Sequence, residues 1–426
     1  MADNLYWVWL AESIGAASKA YAPLLERFGT PYDIYRADEE DFYKIPGVDE
    51  RVIERLCDKN LDAPGKIIDY CTKNGIGILT YDNERFPQRL REIRNSPVLL
   101  YYRGKLPDFD RRLCIAVVGT RKMTEYGEQS AYKISYELAS AGAVVVSGMA
   151  LGVDGIASCA AVEAGGVSCA VLGCGIDVVY PPEHKRLMDN ILKHGAVLTE
   201  FSPGTPPERY HFPMRNRIIS GLCQGTLVVE ADAKSGALIT ANEALYQGRD
   251  LYALPGNIDG VNSTGTNKLL KEGAKIVTSA EDIIGDHEFL YSDSISYERL
   301  HGARDYSAYD AHAVERMGVS SRRSIIIRKN KNADEDDLEA PILKNGKKEK
   351  IKKKNTGILK SKKEADLSML GELERKIFEI MPDDVAISVD LLTRSGLTVS
   401  DVMTSLTLLE INGFISALPG GLYIKR

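Results

Sequence analysis

Between Phe212 and Gly221 the chain reads Phe-Pro-Met-Arg-Asn-Arg-Ile-Ile-Ser-Gly. Two arginines, an asparagine and an aromatic ring therefore meet where a strand is expected to hand over to a helix. Guanidinium groups and the N–H groups of a helix start hold phosphates, and an exposed aromatic face stacks on a base. The mixture suits an unpaired nucleic-acid strand better than a metabolite to be turned over. Arg209 lies three residues before Phe212, so a turned or helical backbone would set both on one cleft. Arg215 and Arg217 have a second reading, in which one of them pairs with a carboxylate such as Glu230. His211 has no serine or cysteine partner at a nucleophile turn and is assigned no catalytic role.

Four other corners repeat the theme. Gly119-Thr120-Arg121 follows the first Val-rich run and offers a close backbone turn, a hydroxyl and a forked donor. Ser147-Gly148-Met149-Ala150-Leu151-Gly152-Val153-Asp154 reads either as an anion nest or as a tight turn with Asp154 capping a helix. Lys234-Ser235-Gly236 opens a third helix, and Pro255-Gly256 with Gly265-Thr266-Asn267 forms another polar helix start. No G-x-G-x-x-G follows the first strand, and no G-x-x-x-x-G-K-[S/T] occurs anywhere, which speaks against NAD binding and ATP hydrolysis. No cofactor or metal is expected.

The elements that must position these corners are legible from hydrophobic runs. Buried strands are expected at Cys114–Val118, Ala143–Ser147, Ser168–Leu172, Ala196–Glu200, Thr226–Glu230, Leu251–Leu254 and Lys275–Val277, separated by room for crossover helices. That is an α/β, doubly wound Rossmann-like parallel sheet over residues 76–288, led by connector strands at Ile78–Tyr81 and Val98–Tyr102. Residues 1–75 are helix-patterned, with an Ile45-Pro46-Gly47-Val48 turn of helix-hairpin-helix type. Residues 289–365, with an acidic block and then a lysine-dense one, are expected to be a disordered charged linker. Residues 366–426 read as helix, helix-turn-helix and hairpin, a winged helix. Its recognition helix, Asp401 to Asn412, carries no Lys or Arg, a poor face for a duplex groove.

At 426 residues and 44% hydrophobic composition the chain can fill two or three cores. The net charge of −6 argues against a uniformly basic coat, so a nucleic-acid site has to be a local concentration of positive charge. Seven scattered cysteines with no C-x-x-C pair read as reduced core residues of a cytoplasmic protein. No apolar run is long enough to span a membrane, and no secretory signal is read at the N-terminus.

Taken in order, G-T-R, S-G-x-A-x-G-V-D, G-x-G-x-D-x-x-Y-P-P, F-P-x-R-N-R-I-I-x-G-L, V-V-E-A, S-G-x-L-I-T-A and G-T-N-x-L-L-x-x-G-A resemble the DprA/Smf family over roughly residues 75–285. The resemblance implies sequence-nonspecific single-stranded DNA binding, dimerisation through the Rossmann-like domain, and help in loading RecA recombinase during natural transformation, without catalysis. It assigns DNA contact to Arg121, Arg209, Phe212, Arg215, Asn216, Arg217, Ser235 and Gly236, and the chemistry of the corners adds Gly119, Thr120, Ser147, Gly148 and Lys234. Two features depart from the family pattern: Ser158 stands where a histidine is usual, and the charged insertion before the winged helix is uncommon. The alternative is a nucleotide or nucleoside-phosphate hydrolase on a related sheet, but Gly221-Leu222-Cys223-Gln224-Gly225-Thr226 lacks the P-G-G start such enzymes show.

Overall fold

The structure is a computed structural model that describes residues 2–319 apart from Pro46, together with scattered positions between 372 and 425. The chain divides into two units, Met1–Lys344 and Asn345–Arg426.

The first unit opens with six short helices between Ala2 and Lys73, and Trp7, Val8, Trp9, Leu10, Leu24 and Ile34 form their interior. A nine-stranded sheet follows. Its strands are β1 (Gly77–Thr80), β2 (Leu99–Gly104), β3 (Cys114–Val118), β4 (Val144–Ser147), β5 (Val167–Val171), β6 (Ala196–Thr199), β7 (Gly225–Val228), β8 (Asp250–Ala253) and β9 (Lys275–Ile276). Their spatial order is β1-β2-β6-β5-β4-β3-β7-β8-β9. The connector strands β1 and β2 are antiparallel, and β3 to β9 are parallel, in registers such as Ile115↔Val145 and Val117↔Leu227. All seven expected parallel strands are present, Cys114–Val118 at the expected bounds and the others with ends shifted by at most two residues.

Strand residues feed two cores because alternate side chains point to opposite faces. Ile115, Val117 and Val145 pack with Leu138, Ala157 and Ala160 from helices Glu125–Ala141 and Val153–Glu163, and the N-terminal helices continue that core through Trp7 and Leu10. Ala116, Val118 and Val146 face Ile218, Ile219, Ala237 and Ala241 from helices His211–Gly221 and Ala237–Tyr246. Every parallel crossover therefore leaves a strand at the same edge, and all the corners singled out from the sequence lie along it.

One expectation is corrected. The segment beginning at residue 289 is not linker up to residue 319. Helix Ala280–Tyr291 is followed by helices Tyr297–Ala303 and Ala311–Arg316, and Leu300, Val314, Met317 and Val319 are buried in the first core. Tyr309 donates its hydroxyl to Glu128 (2.6 Å) and Ser307 to Glu137 (3.0 Å), both carboxylates buried on helix Glu125–Ala141. Apolar residues spaced at Leu300, Ala303, Val314 and Met317 explain the packing, and the polar residues between them hide that spacing in the sequence. The rest of the expected linker lies outside the described residues.

In the second unit, helix Glu372–Ile380 packs Ile377 with Met381, Val402, Leu406, Leu409 and Ile415. Strands Ile387–Ser388, Ile415–Leu418 and Leu422–Lys425 form an antiparallel sheet with the last in the centre. The hairpin is as expected, and Ile387–Ser388 is an added strand. The helical turn expected around Ser395-Gly396-Leu397 lies outside the described residues. All seven cysteines of the chain are unbridged, six of them buried.

Candidate nucleic-acid interface

The carboxyl ends of β3, β4 and β5 converge on a small cleft lined by Arg121, Gly148, Gly173, Tyr180 and Phe212, among others. Phe212 occupies the first turn of helix His211–Gly221, one end of which faces this edge. Its ring lies 5.4 Å from that of Tyr180 and near two guanidinium groups, Arg121 at 5.6 Å and Arg215 at 5.9 Å from the centroid. The expected exposed ring is in fact half-buried, because Gly173 lets it settle against the backbone: a Cβ there would stand 2.9 Å from the ring. Arg121 is exposed at the rim, whereas Arg215 is 4% exposed beneath it.

Arg215 is a buried brace. Its Nη1 donates to the Gly148 carbonyl at 2.9 Å and to the Val171 carbonyl. Burial lowers its pKa to about 10, with the Asp154 carboxylate opposing that shift and Arg121 adding to it, so it stays charged at neutral pH. Asp154 is the complement: burial raises its pKa, and the Arg215 charge and the Gly148 N–H oppose the rise. Its Oδ2 accepts the Gly148 N–H at 3.0 Å, so the loop read as an anion nest is filled by the chain's own carboxylate. Gly148 has to be glycine, since a Cβ there would come within 2.6 Å of both Arg215 and Asp154. Ser147 is likewise corrected: it is fully buried, and its hydroxyl donates to the Val117 carbonyl at 2.9 Å.

Arg217 is not part of the cleft. It forms a two-pronged ion pair with Glu200 at the end of β6, at 2.8 and 2.7 Å, with both side chains about 5% exposed. The carboxylate partner is thus Glu200, and Glu230 caps the helix at Thr124 instead. Helix position explains the split, because residues two apart point to different sides. Asn216 is half-buried and accepts from Arg215 Nε at 3.3 Å.

At the first corner, Gly119 allows close approach to Val153 and the Glu230 carbonyl. The Thr120 hydroxyl accepts the Lys122 N–H at 3.1 Å, and its own N–H donates to the Glu230 carbonyl at 2.8 Å. Arg209 is exposed in the turn just before the Phe212 helix. Lys234 and Gly236 are exposed and Ser235 is half-exposed at the start of helix Ala237–Tyr246, which packs beside the Phe212 helix. The structure brings together Arg121, Phe212 and, underneath, Gly148 and Arg215. Lys234, Ser235 and Gly236 stand along the same edge, outside the cleft lining. Tyr180 and Gly173 escaped the residue-by-residue reading, although both sit in the G-x-G-x-D-x-x-Y-P-P string. Cys174, also in the lining, has its thiol pushed up to about 11 by burial, an unreactive state.

Residues 77–288 match the family model for DNA recombination-mediator protein A, and residues 361–421 that for the DprA winged helix domain. The DNA processing protein DprA of Streptococcus pneumoniae is 46% identical over 205 residues, which are 48% of this chain and 72% of that protein. The chain belongs to the DprA family. The Smf protein of Escherichia coli is 34% identical over 349 residues, 82% of this chain and 77% of that one. The X-ray structure of DprA from Streptococcus pneumoniae superimposes with a TM-score of 0.59 at 36% identity, covering 66% of this chain and 97% of that one. This DprA-family chain thus has a helical N-terminal region, a mostly parallel sheet and a winged helix domain. Among its described residues no helix is long and apolar enough to cross a membrane, and no three His, Cys, Asp or Glu side chains cluster as for a metal.

Proposed function

We propose that this protein binds single-stranded DNA at the carboxyl edge of its sheet and acts as a recombination mediator. The carrying observation is the half-buried Phe212 ring with an exposed and a buried guanidinium group within 6 Å of its centroid. The cleft, with about 30 Å³ of space, is too small to enclose a base, so a base would stack on the part of the half-buried ring that remains exposed. Arg121 and Arg209 would then hold the flanking phosphates, with Lys234, Ser235 and Gly236 extending the path. Stacking on a ring requires an unpaired base and is indifferent to sequence. The family name, recombination mediator, supports the same reading.

The finer parts of the reading belong with it. The protein acts without catalysis, in the cytoplasm, as a homodimer formed through the Rossmann-like domain, and delivers the strand to a RecA-type recombinase. Residues 1–75 and the winged helix serve as accessory domains, and the lysine-dense stretch before the winged helix adds a salt-screened attraction. A mobility-shift series with single-stranded, blunt duplex and mononucleotide competitors tests the core claim. Single strand should win at matched salt, and equal affinity for duplex refutes it. Sedimentation of the full chain at micromolar concentration should give a dimer mass, and acceleration of recombinase filament assembly on coated strands tests delivery.

A further inference from the structure

Two buried polar side chains near this edge differ in how far their hydrogen bonds are met. A second, larger hollow of about 630 Å³ opens where the strand order reverses between β3 and β7, with Glu230 in its lining. That carboxylate is 2% exposed and accepts from the Thr124 hydroxyl at 2.5 Å, the Thr124 N–H at 2.8 Å and Asn262 Nδ2 at 3.5 Å, so it is spent on its own chain. His184 is the opposite case. It is fully buried, and its Nε2 has no hydrogen-bond partner among the described residues.

The other ring nitrogen, Nδ1, lies 3.0 Å from the carbonyl oxygen of Met149. A carbonyl only accepts, so Nδ1 carries the proton and Nε2 of the neutral ring is a bare acceptor. A buried acceptor without a donor is costly. Leucine would fill similar room without that cost, so packing alone does not account for an imidazole here. The facing helix also gives way to the ring. Gly155 stands in the first turn of Val153–Glu163, and a Cβ there would come within 2.6 Å of His184 Cε1. Glycine in a helix is a further cost.

What Nδ1–H holds is a backbone in an uncommon state. Met149 has φ +53°, the left-handed region that non-glycine residues rarely adopt. Its carbonyl goes to His184, while Gly148 before it is bonded to Asp154 and Arg215 and Ala150 after it donates to Asp154. Loops 148–152 and 172–184 both line the Phe212 cleft, the first through Gly148, Ala150 and Leu151 and the second through Gly173, Tyr180 and Pro181. Arg215 ties their roots through the carbonyls of Gly148 and Val171, and His184 supplies a second tie. The Phe212 ring rests 5.4 Å from Tyr180, so slippage between the loops reaches the ring itself.

We propose that His184 is a positioning residue for strand binding: its Nδ1–H bolts loop 172–184 to loop 148–152 and so keeps Tyr180 and Phe212 where a base can stack. This rests on the strand-binding reading above.

The test uses the full chain, an oligothymidine of about twenty nucleotides in mobility shifts, thermal melting, and deuterium uptake over residues 148–152 of the free protein. His184→Leu keeps the volume and removes the donor. Its melting temperature should stay near the parent's, because the orphaned Nε2 leaves with the donor. Its uptake should rise and its strand affinity fall at least about fivefold, the scale of one buried acceptor left stranded. His184→Asn sets an Nδ2–H where Nδ1–H stood, and should restore uptake and bring affinity to within about twofold of the parent. If His184→Leu does not fold, Gly155→Ala decides: it crowds the ring, and should weaken strand binding in the parent but be tolerated beside His184→Asn. Equal losses in the leucine and asparagine variants that track a fall in melting temperature would reduce His184 to packing and overturn the proposal. So would a leucine variant that binds and exchanges like the parent. Failure of the strand-binding reading shows separately, as absence of an oligothymidine shift in the parent while uptake still separates the two variants.

Discussion

Two hollows at one edge of one sheet have opposite chemistry. The cleft at Phe212 is nearly filled, aromatic and flanked by two guanidinium groups; the cavity at Glu230 is roomy, apolar-walled and floored by a carboxylate. Both follow glycine-containing corners beyond parallel strands. Fold position thus supplies access, while the side chains decide what can enter. Within the cleft the same lesson holds for its arginines. Arg121 stands at the rim, Arg215 supports from below, and Arg217, two residues further on, is committed to Glu200.

The sharpest way to break that sorting is to remove each arginine in turn. Arg217→Ala leaves the buried Glu200 carboxylate without its counter-charge, with the Ala17 N–H still donating to it at 3.2 Å, and should cost about 3–5 kcal/mol of stability, seen as a large fall in melting temperature. Arg121→Ala, which gives up an exposed contact over the Phe212 ring, should cost about 1 kcal/mol or less. Equal melting of the two variants would erase the distinction between brace and ligand. Next in size, Phe212→Ala should weaken single-strand binding by about 1–3 kcal/mol in a mobility shift while the fold persists, since the ring is only half-buried. Arg121→Ala and Arg209→Ala should each lower the salt dependence of strand affinity by about 0.7 in log–log slope, the loss of one phosphate contact. An unchanged slope would remove that residue from the strand path.

The smallest effect concerns pH. His184 is fully buried, with Nδ1 3.0 Å from the carbonyl of Met149 in the loop around Asp154. Burial, partly opposed by the Met149 contact, lowers its pKa below the ordinary 6.5. The unfolded chain therefore takes up a proton that the folded one refuses, and stability should fall as pH drops below about 6.5 and be complete above it. His287 is lowered in the same direction. A melting series in His184→Gln should show a shallower acid slope than the parent, and an identical slope assigns the effect elsewhere.

Strands were the most legible feature, because Val-rich runs such as Cys114–Val118 need burial on both faces wherever they sit. The Phe212 segment was legible as chemistry, since an aromatic next to arginines has few structural uses. Which arginine would turn inward was not legible. The Arg217–Glu200 pair joins a helix to a strand end, and nothing in the spacing favours Glu200 over Glu230. Asp154 was recognisable near a helix start, but its filling of the Gly148 loop depends on a fold-back that local pattern does not encode. The cavity at Glu230 depends on the reversal of strand order, which appears only once seven strands are placed.

The recombination-mediator match ends at residue 288, yet the folded body continues to Val319. Ser296 donates its N–H to the Ala141 carbonyl at 2.9 Å, and the hydroxyls of Ser307 and Tyr309 reach Glu137 and Glu128. Cutting the chain at the border of likeness would strip two buried carboxylates of their donors and bare the outer side of helix Glu125–Ala141, whose first turn is held by Thr124 and Glu230. The segment that the recombination-mediator model spans and the unit that folds are different lengths of chain, and a truncation that respects the first can injure the second at a distance from every residue it removes.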